Sequence, residues 1–325
     1  MRIQVLVLDD VFDLGLAALL DTLVTANDLI PLLNVPVAPI EVQRIGVRRR
    51  VRTAQGLAVP VQPAGTAPVP DLTLLPALGC KMPPLLERRL AQPDVGDAAA
   101  LLAARGTGRI GAACTATFVL AESGLLDGRA ATTTWWLAPL FRRRYPQIAL
   151  DESRMLVNAG NLSTAGAALA HLDLALAVLR RHSPALAALT ARYLLVDARP
   201  SQAAFVIPDH LAHADPMVER FERWARQRLA RGFSLADAAH SVGTSERTLA
   251  RRLSAVLGKS PLSYFQDLRV EHAVHLLRTS SDSVERIAAQ IGYADGVTLR
   301  TLLRRRLGRG VRELRANALA AQRSV

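Results

Sequence analysis

The spacing of hydrophobic residues changes part-way along the chain. In residues 1–190, short apolar runs bounded by turn residues alternate with stretches of helical periodicity. The runs predict buried parallel strands at 3–8, 72–75, 109–113 and 155–159. The stretches predict helices at 16–29, 116–123, 135–145 and 164–182. This order of strands and helices is typical of an α/β domain with a doubly wound, flavodoxin-like parallel sheet.

The periodicity is lost after this region. Residues 196–215 contain two prolines and predict a linker that follows an α/β domain at 1–195. Asp215 and Pro216 then predict a helix start, because aspartate caps a helix and proline suits its first position. Apolar residues recur at helical spacing from there on. We therefore expect residues 216–320 to form an all-α domain.

The carboxy-terminal part contains a repeated pattern at 235–258 and 284–308. Gly243 aligns with Gly292 at an offset of 49 residues, and beyond the turn the offset is 50, so the second copy has one extra turn residue. Each copy predicts a helix, a glycine turn and a second helix, which is the helix-turn-helix pattern. The amphipathic segment 262–280 predicts a rigid linking helix that holds two recognition helices about one DNA turn (~34 Å) apart.

The charge distribution supports a nucleic-acid partner. The net charge is +12, and residues 216–325 hold 20 of the 40 lysines and arginines but only 10 of the 28 aspartates and glutamates. Such a positive field attracts the phosphates of double-stranded DNA. No apolar run approaches the ~18 to 20 residues of a membrane span, and the early aspartates argue against a signal peptide. We expect a cytoplasmic protein with no membrane partner.

The cysteine content argues against structural metal chemistry. Cys80 and Cys114 fit neither a disulfide framework nor a four-ligand zinc site. We expect both thiols to be reduced, and we expect neither a metal site nor a cofactor.

The repeat and its linking segment resemble a known protein family. The stretches TSERTLARRLSAVLGKSPLSYFQDLRVEHAVHLL and SVERIAAQIGYADGVTLRTLLRRRLG are similar to the C-terminal DNA-binding domain of AraC/XylS-type transcription regulators, over residues 217–315. Leu299 and Leu303 stand where that family often has phenylalanine, and GVREL at 310–314 stands where it often has Ser-Pro-x-x-Tyr. We expect these apolar replacements to alter packing more than DNA recognition.

The resemblance implies that the second helix of each copy contacts DNA. Arginine pairs bidentately with guanine, and the methyl groups of alanine, valine and threonine contact thymine methyls. The residues expected at base edges are Arg247, Ala250 and Arg251 in the first copy, and Val297, Thr298, Arg300 and Thr301 in the second. Ser245, which caps the first recognition helix, and Thr248 are also expected to belong to the DNA-binding surface. Arg252, Arg304 and Arg305 are expected to contact phosphates.

A second informative stretch is GRIGAACTATFVLAESGLLDGRAATTTWW at 108–136. Cys114 falls in the sharp turn between a predicted strand and a predicted helix, where α/β folds place nucleophiles. The stretch resembles the class I glutamine amidotransferase-like domains of the PfpI superfamily, over residues 3–180. Such a domain ahead of an AraC-type module is similar to the GlxA-like regulators, and residues 197–205 resemble the connector of that subgroup.

Catalytic relatives in the PfpI superfamily place a histidine before a tryptophan as a base, and this chain has Thr134 there. Threonine cannot accept the thiol proton. The resemblance therefore implies a ligand pocket that has lost hydrolysis, at the carboxyl ends of the strands. The expected lining residues are Asp21, Pro76, Ala77, Cys114, Thr115, Thr134 and Trp135, while His171 is expected to be structural. Trp135 with Trp136 offers an aromatic wall for a cationic amine.

These observations favour a transcription regulator that is not an enzyme and that responds to a small metabolite. The resemblance implies an amine or amino-acid-derived effector, a homodimer formed through the α/β domain, and RNA polymerase as a further partner. The alternative is a cysteine-dependent amidase or hydrolase fused to a DNA-binding domain. A third hypothesis is a DNA-binding protein whose first domain only dimerises.

Overall fold

The computed structural model describes residues 1–105, 108–197, 199, 201–202, 215–308 and 310–315. The chain divides into two compact units, Met1–Gln202 and Ala203–Val325. Within the predicted linker, residues 198, 200 and 203–214 lie outside the described residues, as do residues 309 and 316–320 of the predicted second domain.

The first unit is built from short strands and from helices on both faces of a sheet. Its strands are β1 (Arg2–Leu6), β2 (Glu41–Gly46), β3 (Val51–Arg52), β4 (Ala58–Val59), β5 (Gln62–Pro63), β6 (Leu72–Leu75), β7 (Arg109–Ala113), β8 (Ala130–Ala131), β9 (Ala149–Leu150), β10 (Leu156–Ala159) and β11 (Leu162–Ala165). Its helices are α1 (Asp13–Leu29), α2 (Pro83–Leu90), α3 (Pro93–Ala104), α4 (Ala116–Glu122), α5 (Ala138–Arg144), α6 (Ala170–His182) and α7 (Pro184–Tyr193).

Seven strands form one sheet in the order β10-β11-β7-β6-β1-β2-β5. Every neighbouring pair in it is parallel except β10–β11. The central order β2-β1-β6-β7-β11 is that of flavodoxin-like sheets, which confirms the predicted fold class.

The structure corrects the predicted elements at one end of the sheet. The run at 155–159 was expected to be a parallel strand, but β10 is the antiparallel edge strand of a hairpin with β11. The helix predicted at 164–182 begins only at Ala170, because Thr164 and Ala165 belong to β11. Thr164 and Ala165 carry no local signal that distinguishes them from a helix start, so the pairing of β11 with β7 decides their conformation.

Alternating residues of the strands pack into two apolar clusters, one on each face of the sheet. Ile3 and Val5 of β1 pack with residues of α1, α6 and α7. Leu6 points to the other face and packs with residues of α2, α3 and α4. This alternation follows from the two-residue period of a strand, and it gives the doubly wound arrangement its two layers of helices.

Helix α1 belongs to one of these layers, although its extension to Leu32 is long and apolar enough to cross a membrane by length and composition. The sequence-based expectation that no apolar run reaches this length was therefore wrong. Leu16, Leu19 and Leu23 are at most 6% exposed and lie in the apolar cluster of the first unit. Length and composition alone are weak evidence for a span, because core helices meet the same test.

The described residues of the second unit form helices joined by turns, with no strand, as predicted. Its helices are α8 (Pro216–Arg226), α9 (Leu235–Ser241), α10 (Glu246–Leu257), α11 (Pro261–Thr279), α12 (Val284–Gln290) and α13 (Gly296–Leu307). Asp215 caps α8 by accepting hydrogen bonds from the N–H groups of Met217 and Val218, at 2.8 and 3.2 Å.

The two repeat copies fold alike. Each has a first helix of 7 residues and a second of 12 residues. Gly243 and Gly292 occupy the two turns with φ of +73° and +81°. L-residues other than glycine avoid this region, so the structure confirms the predicted glycine turns.

Candidate nucleic-acid interface and cysteine elbow

The second helix of the first copy, α10, presents its predicted DNA-contacting residues along one edge. Ser245 caps the helix, and its Oγ accepts a hydrogen bond from the N–H of Thr248 at 3.2 Å. Arg247 and Arg251 are exposed and make no hydrogen bond or ion pair within the described residues. Ala250 and Thr248 are partly buried. The guanidinium groups of both arginines are therefore available to hydrogen-bond acceptors of a partner molecule.

The corresponding helix of the second copy, α13, presents a less charged edge at its start. Val297 is 68% exposed, which is unusual for a large apolar side chain. The exposed residues expected to follow it are Thr298, Arg300, Thr301, Arg304 and Arg305. An exposed valine at the first turn of a helix suits contact with an apolar group of a partner, such as a thymine methyl.

Arg252 differs from the other predicted contacts because it forms an ion pair with a buried carboxylate of the protein. Its Nε donates a hydrogen bond to Oδ2 of Asp215 at 2.6 Å, and the Asp215 side chain is 4% exposed. Burial raises the pKa of Asp215, but hydrogen bonds from Arg252, Val218 and Met217 outweigh it, so the pKa lies below its usual value. This ion pair ties α10 to the start of α8.

Two acidic residues beside α13 were not anticipated from the sequence. Asp295 caps α13 by accepting from the N–H of Thr298 at 2.7 Å, and Glu285 accepts from the guanidinium of Arg300 at 2.8 Å. A hydrogen bond from the N–H of Thr298 lowers the pKa of the Asp295 carboxyl. Hydrogen bonds from its own backbone N–H and from Arg300 lower the pKa of the Glu285 carboxyl. Glu285 therefore engages one N–H of Arg300 and competes for it with an acceptor from a partner.

Helix α11 joins the two copies through a buried guanidinium. With 19 residues the helix is about 28 Å long. Arg269, at its middle, is 6% exposed and donates to the carbonyl of Leu229 at 2.9 Å. Its guanidinium also lies 4.8 Å from the ring centre of Phe265 and 5.0 Å from that of Tyr293. Since Tyr293 belongs to the second copy, Arg269 fixes that copy to the linking helix.

The cysteine elbow in the first unit has the backbone geometry expected of it. Cys114 directly follows β7 and has φ of +56°, a conformation that costs a non-glycine residue of the order of 1–3 kcal/mol. Its N–H donates to the carbonyl of Ala165 at 2.9 Å. Its carbonyl accepts from the hydroxyl of Thr133 at 2.8 Å. These bonds hold the sharp turn between strand and helix.

The Cys114 thiol is buried and protonated. The residue is 4% exposed, and burial raises the pKa of its thiol to about 11, although hydrogen bonds from Thr115 and Thr134 lower it in part. The Thr134 hydroxyl is fully buried beside the thiol and has no other hydrogen-bond partner among the described residues. Thiolates, not thiols, are the nucleophiles, so this environment opposes nucleophilic chemistry.

Both ring nitrogens of His171 lie within hydrogen-bonding distance of main-chain groups. Nε2 accepts from the N–H of Ala77 at 3.0 Å, and Nδ1 lies 2.5 Å from the carbonyl of Ala168. Burial lowers the pKa of His171 to about 4, so the ring is neutral. An imidazole with both nitrogens occupied supports the main chain, in line with the structural role expected for it.

The other predicted lining residues do not all lie together. Pro76, Ala77 and Thr115 are buried at the ends of strands β6 and β7, and Trp135 lies half-buried with its ring centre 5.5 Å from that of Trp136. Asp21 does not join them. It is exposed on α1, about 12 Å along the helix from its first residue, because the buried face of α1 uses other positions.

The profile of the helix-turn-helix domain family matches residues 238–317, which span both copies. Residues 238–317 form an AraC-type helix-turn-helix domain. This confirms the resemblance drawn from the repeat.

Relatives extend the likeness beyond the AraC-type domain. The transcriptional regulator GbdR of Pseudomonas aeruginosa is 27% identical over 194 residues, which cover 58% of this chain and 53% of the relative. The regulator GlxA of Rhizobium meliloti is 28% identical over 202 residues, covering 57% and 58%. The chain thus spans about half the length of the curated relatives it matches.

A solved structure from Vibrio parahaemolyticus shares the fold of the larger part of the chain. It has a TM-score of 0.50 and 19% identity, and the match covers 60% of this chain and 98% of that one. At this identity the likeness concerns the fold alone.

Sequence reasoning missed one residue that the structure places at the elbow. Gln202 is 1% exposed; its Nε2 donates to the carbonyl of Thr133 at 2.9 Å, and its Oε1 accepts from the N–H of Ala167 at 2.9 Å. An added Cβ at Gly166 would lie 2.5 Å from the Gln202 side chain. The predicted linker includes Gln202, and a lone glutamine in a stretch without periodicity carries no burial signal.

Proposed function

We propose that this protein is a sequence-specific DNA-binding transcription regulator that acts on promoters. The observation that carries the proposal is the pair of matching helix-turn-helix units, each presenting exposed arginine at its second helix. Helix α11 joins them, and Arg269 on this helix packs against the ring of Tyr293 in the second copy. The proposal takes the predicted base-contacting and phosphate-contacting residues as the DNA contacts, except Arg252, which pairs with Asp215.

The α/β unit acts, in this proposal, as the sensor for a small amine or amino-acid-derived metabolite. The elbow side chains are the predicted contacts, with Cys114, Thr134 and Ala77 at its centre. Gln202 bonds to the main chain beside Cys114 and is the last residue of the first unit. A ligand that shifts Thr133 therefore shifts the chain segment that leads into the AraC-type domain. The protein works in the cytoplasm as a homodimer and contacts RNA polymerase.

The rival hypothesis of a cysteine amidase draws support from the strained φ of Cys114, which is typical of nucleophile elbows. Three features weigh against it. The thiol is buried with a raised pKa, Thr134 occupies the position of the expected base, and His171 has both nitrogens engaged. The elbow geometry is therefore assigned to ligand binding without hydrolysis.

DNA binding is the decisive test. Fluorescence anisotropy with labelled promoter fragments from around its own gene, against scrambled competitor, should reveal a preferred site. The logarithm of affinity should fall with the logarithm of salt by about 0.9 per phosphate contact. Equal affinity for every fragment and for scrambled DNA would overturn the proposal.

The sensing role is tested by thermal shift against a metabolite panel. A bound effector at a hundredfold excess over its Kd stabilises the folded state by about 2.7 kcal/mol. Cys114→Ala and Thr134→Val should reduce that shift, while Cys80→Ala is the matched control. Amide or ester turnover that disappears in Cys114→Ala would instead establish the enzyme.

A further inference from the structure

A cleft lies at the amino-terminal ends of the strands, opposite to the ends that carry the cysteine elbow. It has a volume of about 200 Å³ and lies against the carboxy-terminal half of α6 and the first residues of β6, β7 and β11. Arg109 begins β7, whereas Cys114 follows its last residue, about 16 Å away along the strand. The cleft and the elbow are therefore separate places in the first unit.

Three arginines line this cleft, and the charge of Arg180 acts in part on Asp173. Arg109, Arg180 and Arg181 all line it, and none makes a hydrogen bond or ion pair in the part of the chain that the structure describes. Burial lowers the pKa of Arg109, and the charge of Arg181 lowers it further, while Asp71 offsets this only in part. Asp71 is itself engaged by the N–H of Arg2 at 2.7 Å. A like-charge cluster of this kind is stabilised by an anion.

The remaining lining defines the rest of the ligand. The floor is apolar and consists of Leu72, Ile110, Leu174, Ala177 and Val178. Asn158 and Ser163 add polar groups at the rim, where the Ser163 hydroxyl donates to Asn158 at 2.7 Å. An apolar floor below a cationic rim suits a molecule with an apolar body and an anionic end.

The size of the cleft suits a small molecule. A volume of 200 Å³ corresponds to about seven water molecules at roughly 30 Å³ each. A small carboxylate or phosphate ester fits within it.

We propose that this cleft binds a small organic anion, a carboxylate or a phosphate ester with an apolar body, at a site separate from the cysteine elbow. The guanidinium groups of Arg109 and Arg181 bind the anionic end, and the floor formed by α6 and the strands holds the apolar body. The site requires only residues of the first unit, so it does not depend on the regulatory role proposed above.

Isothermal titration of the full chain, in a buffer free of phosphate and sulfate, tests the charge requirement. The probes are benzoate, phenyl phosphate and the neutral benzamide. Binding of either anion, with benzamide binding at least about tenfold more weakly, is expected because charge-assisted hydrogen bonds are lost with the charge. The comparison of benzoate with phenyl phosphate decides between the two kinds of anion. Equal binding of all three probes, or of none, overturns the proposal.

Variants locate the site. Arg181→Gln and Arg109→Gln should each weaken anion binding by about tenfold or more, whereas Arg192→Gln on α7, with the same loss of charge at an exposed position, should not. Ala177→Leu keeps every arginine and fills the cleft, so it should also weaken binding even if Arg109→Gln fails to fold. Cys114→Ala should leave the affinity unchanged. Unchanged affinity in both Arg181→Gln and Ala177→Leu, or loss in Cys114→Ala, contradicts the site.

This titration uses no DNA. A failure to bind anions would therefore leave the proposed DNA-binding function untouched, and a failure to bind promoters would leave the anion site untouched.

Discussion

The two helix-turn-helix copies share their helix lengths and their glycine turns, but their turns differ in surroundings. A Cβ added at Gly243 would meet nothing within 4 Å. A Cβ added at Gly292 would lie 2.4 Å from the Arg269 guanidinium and 2.6 Å from the carbonyl of Leu229. The second turn is thus pressed against the linking helix and the chain before α9, whereas the first turn is open. Equal sequence signals can therefore mark positions with different packing.

The copies also differ in how their arginines are used. Arg247 and Arg251 of the first copy have no partner among the described residues, while Arg300 of the second copy is paired with Glu285. The first edge is dominated by guanidinium groups, and the second begins with the exposed methyl groups of Val297. We expect the first copy to read guanine and the second to depend more on thymine methyls.

The largest expected effect is a loss of stability on alanine substitution in the second turn, compared with the same substitution in the first turn. Gly292→Ala should lower the free energy of unfolding by about 2–5 kcal/mol, because a left-handed residue costs about 1–2 kcal/mol and overpacking adds about 1–3. Gly243→Ala should cost only the first of these amounts. Denaturant unfolding followed by circular dichroism measures both. Equal losses would show that the crowding at Gly292 is relieved by movement of its neighbours.

The next effect concerns base recognition. Arg251→Ala should cost about 1–3 kcal/mol of DNA binding at one base position, and Arg300→Ala should cost less because Arg300 gives up Glu285 on binding. Glu285→Gln should strengthen DNA binding by removing that competitor. Anisotropy titrations against a set of single-base operator variants measure these changes. Equal weakening on every DNA sequence by Arg251→Ala would contradict its base-reading role.

A smaller effect separates Arg252 from its neighbours on α10. Arg252→Ala should lower the free energy of unfolding by about 1 kcal/mol, because the pair is charge-assisted but Arg252 is half exposed and screened by solvent. Since the pKa of Asp215 is depressed in the folded state, this stability is present above the unfolded pKa of about 3.9 and is lost as pH falls through the folded value.

The control for this effect is the pH profile of unfolding. The curves of the parent and Arg252→Ala should differ at pH 7 and converge at low pH. A difference that persists unchanged below the folded pKa of Asp215 would show that Arg252 stabilises the domain through packing of its aliphatic stem.

The smallest effect concerns the phosphate contacts of the second copy. Arg304→Gln and Arg305→Gln should each weaken binding alike on all DNA sequences and reduce the slope of log affinity against log salt by about 0.9. A series of titrations between low and moderate salt measures the slope. An unchanged slope would show that the residue faces solvent in the complex.

The sequence predicted those elements whose signal lies in their own residues. Runs such as 72–75 and 109–113 coincide with β6 and β7, because strands buried on both faces are continuously apolar. Strands without a continuous apolar run were not predicted, among them β2 and β11. The residues of β2 mix polar and apolar types because the strand is partly exposed, and periodicity alone gives no signal there.

The candidate sites divide in the same way. The elbow at Cys114 could be placed from a buried strand followed by a helix, and the DNA-contacting edges from the repeat. Asp21, expected at the elbow, instead lies on the exposed face of α1, because the sequence signal did not show which face of that helix is buried. The cleft at Arg109 collects residues from β6, β7, β11 and α6, and no spacing along the chain relates them.

The sequence by itself determined the α/β class, the duplicated helical unit and its concentration of positive charge, because periodicity, glycine turns and charge are properties of neighbouring residues. Tertiary structure decided which arginines are available to a partner. Arg252, Arg269 and Arg300 have the same side chain as Arg251, but packing against other segments gives them Asp215, the carbonyl of Leu229 with the ring of Tyr293, and Glu285 as partners. Charge is encoded residue by residue, whereas the partner of a charge is set by contacts between segments far apart in the chain.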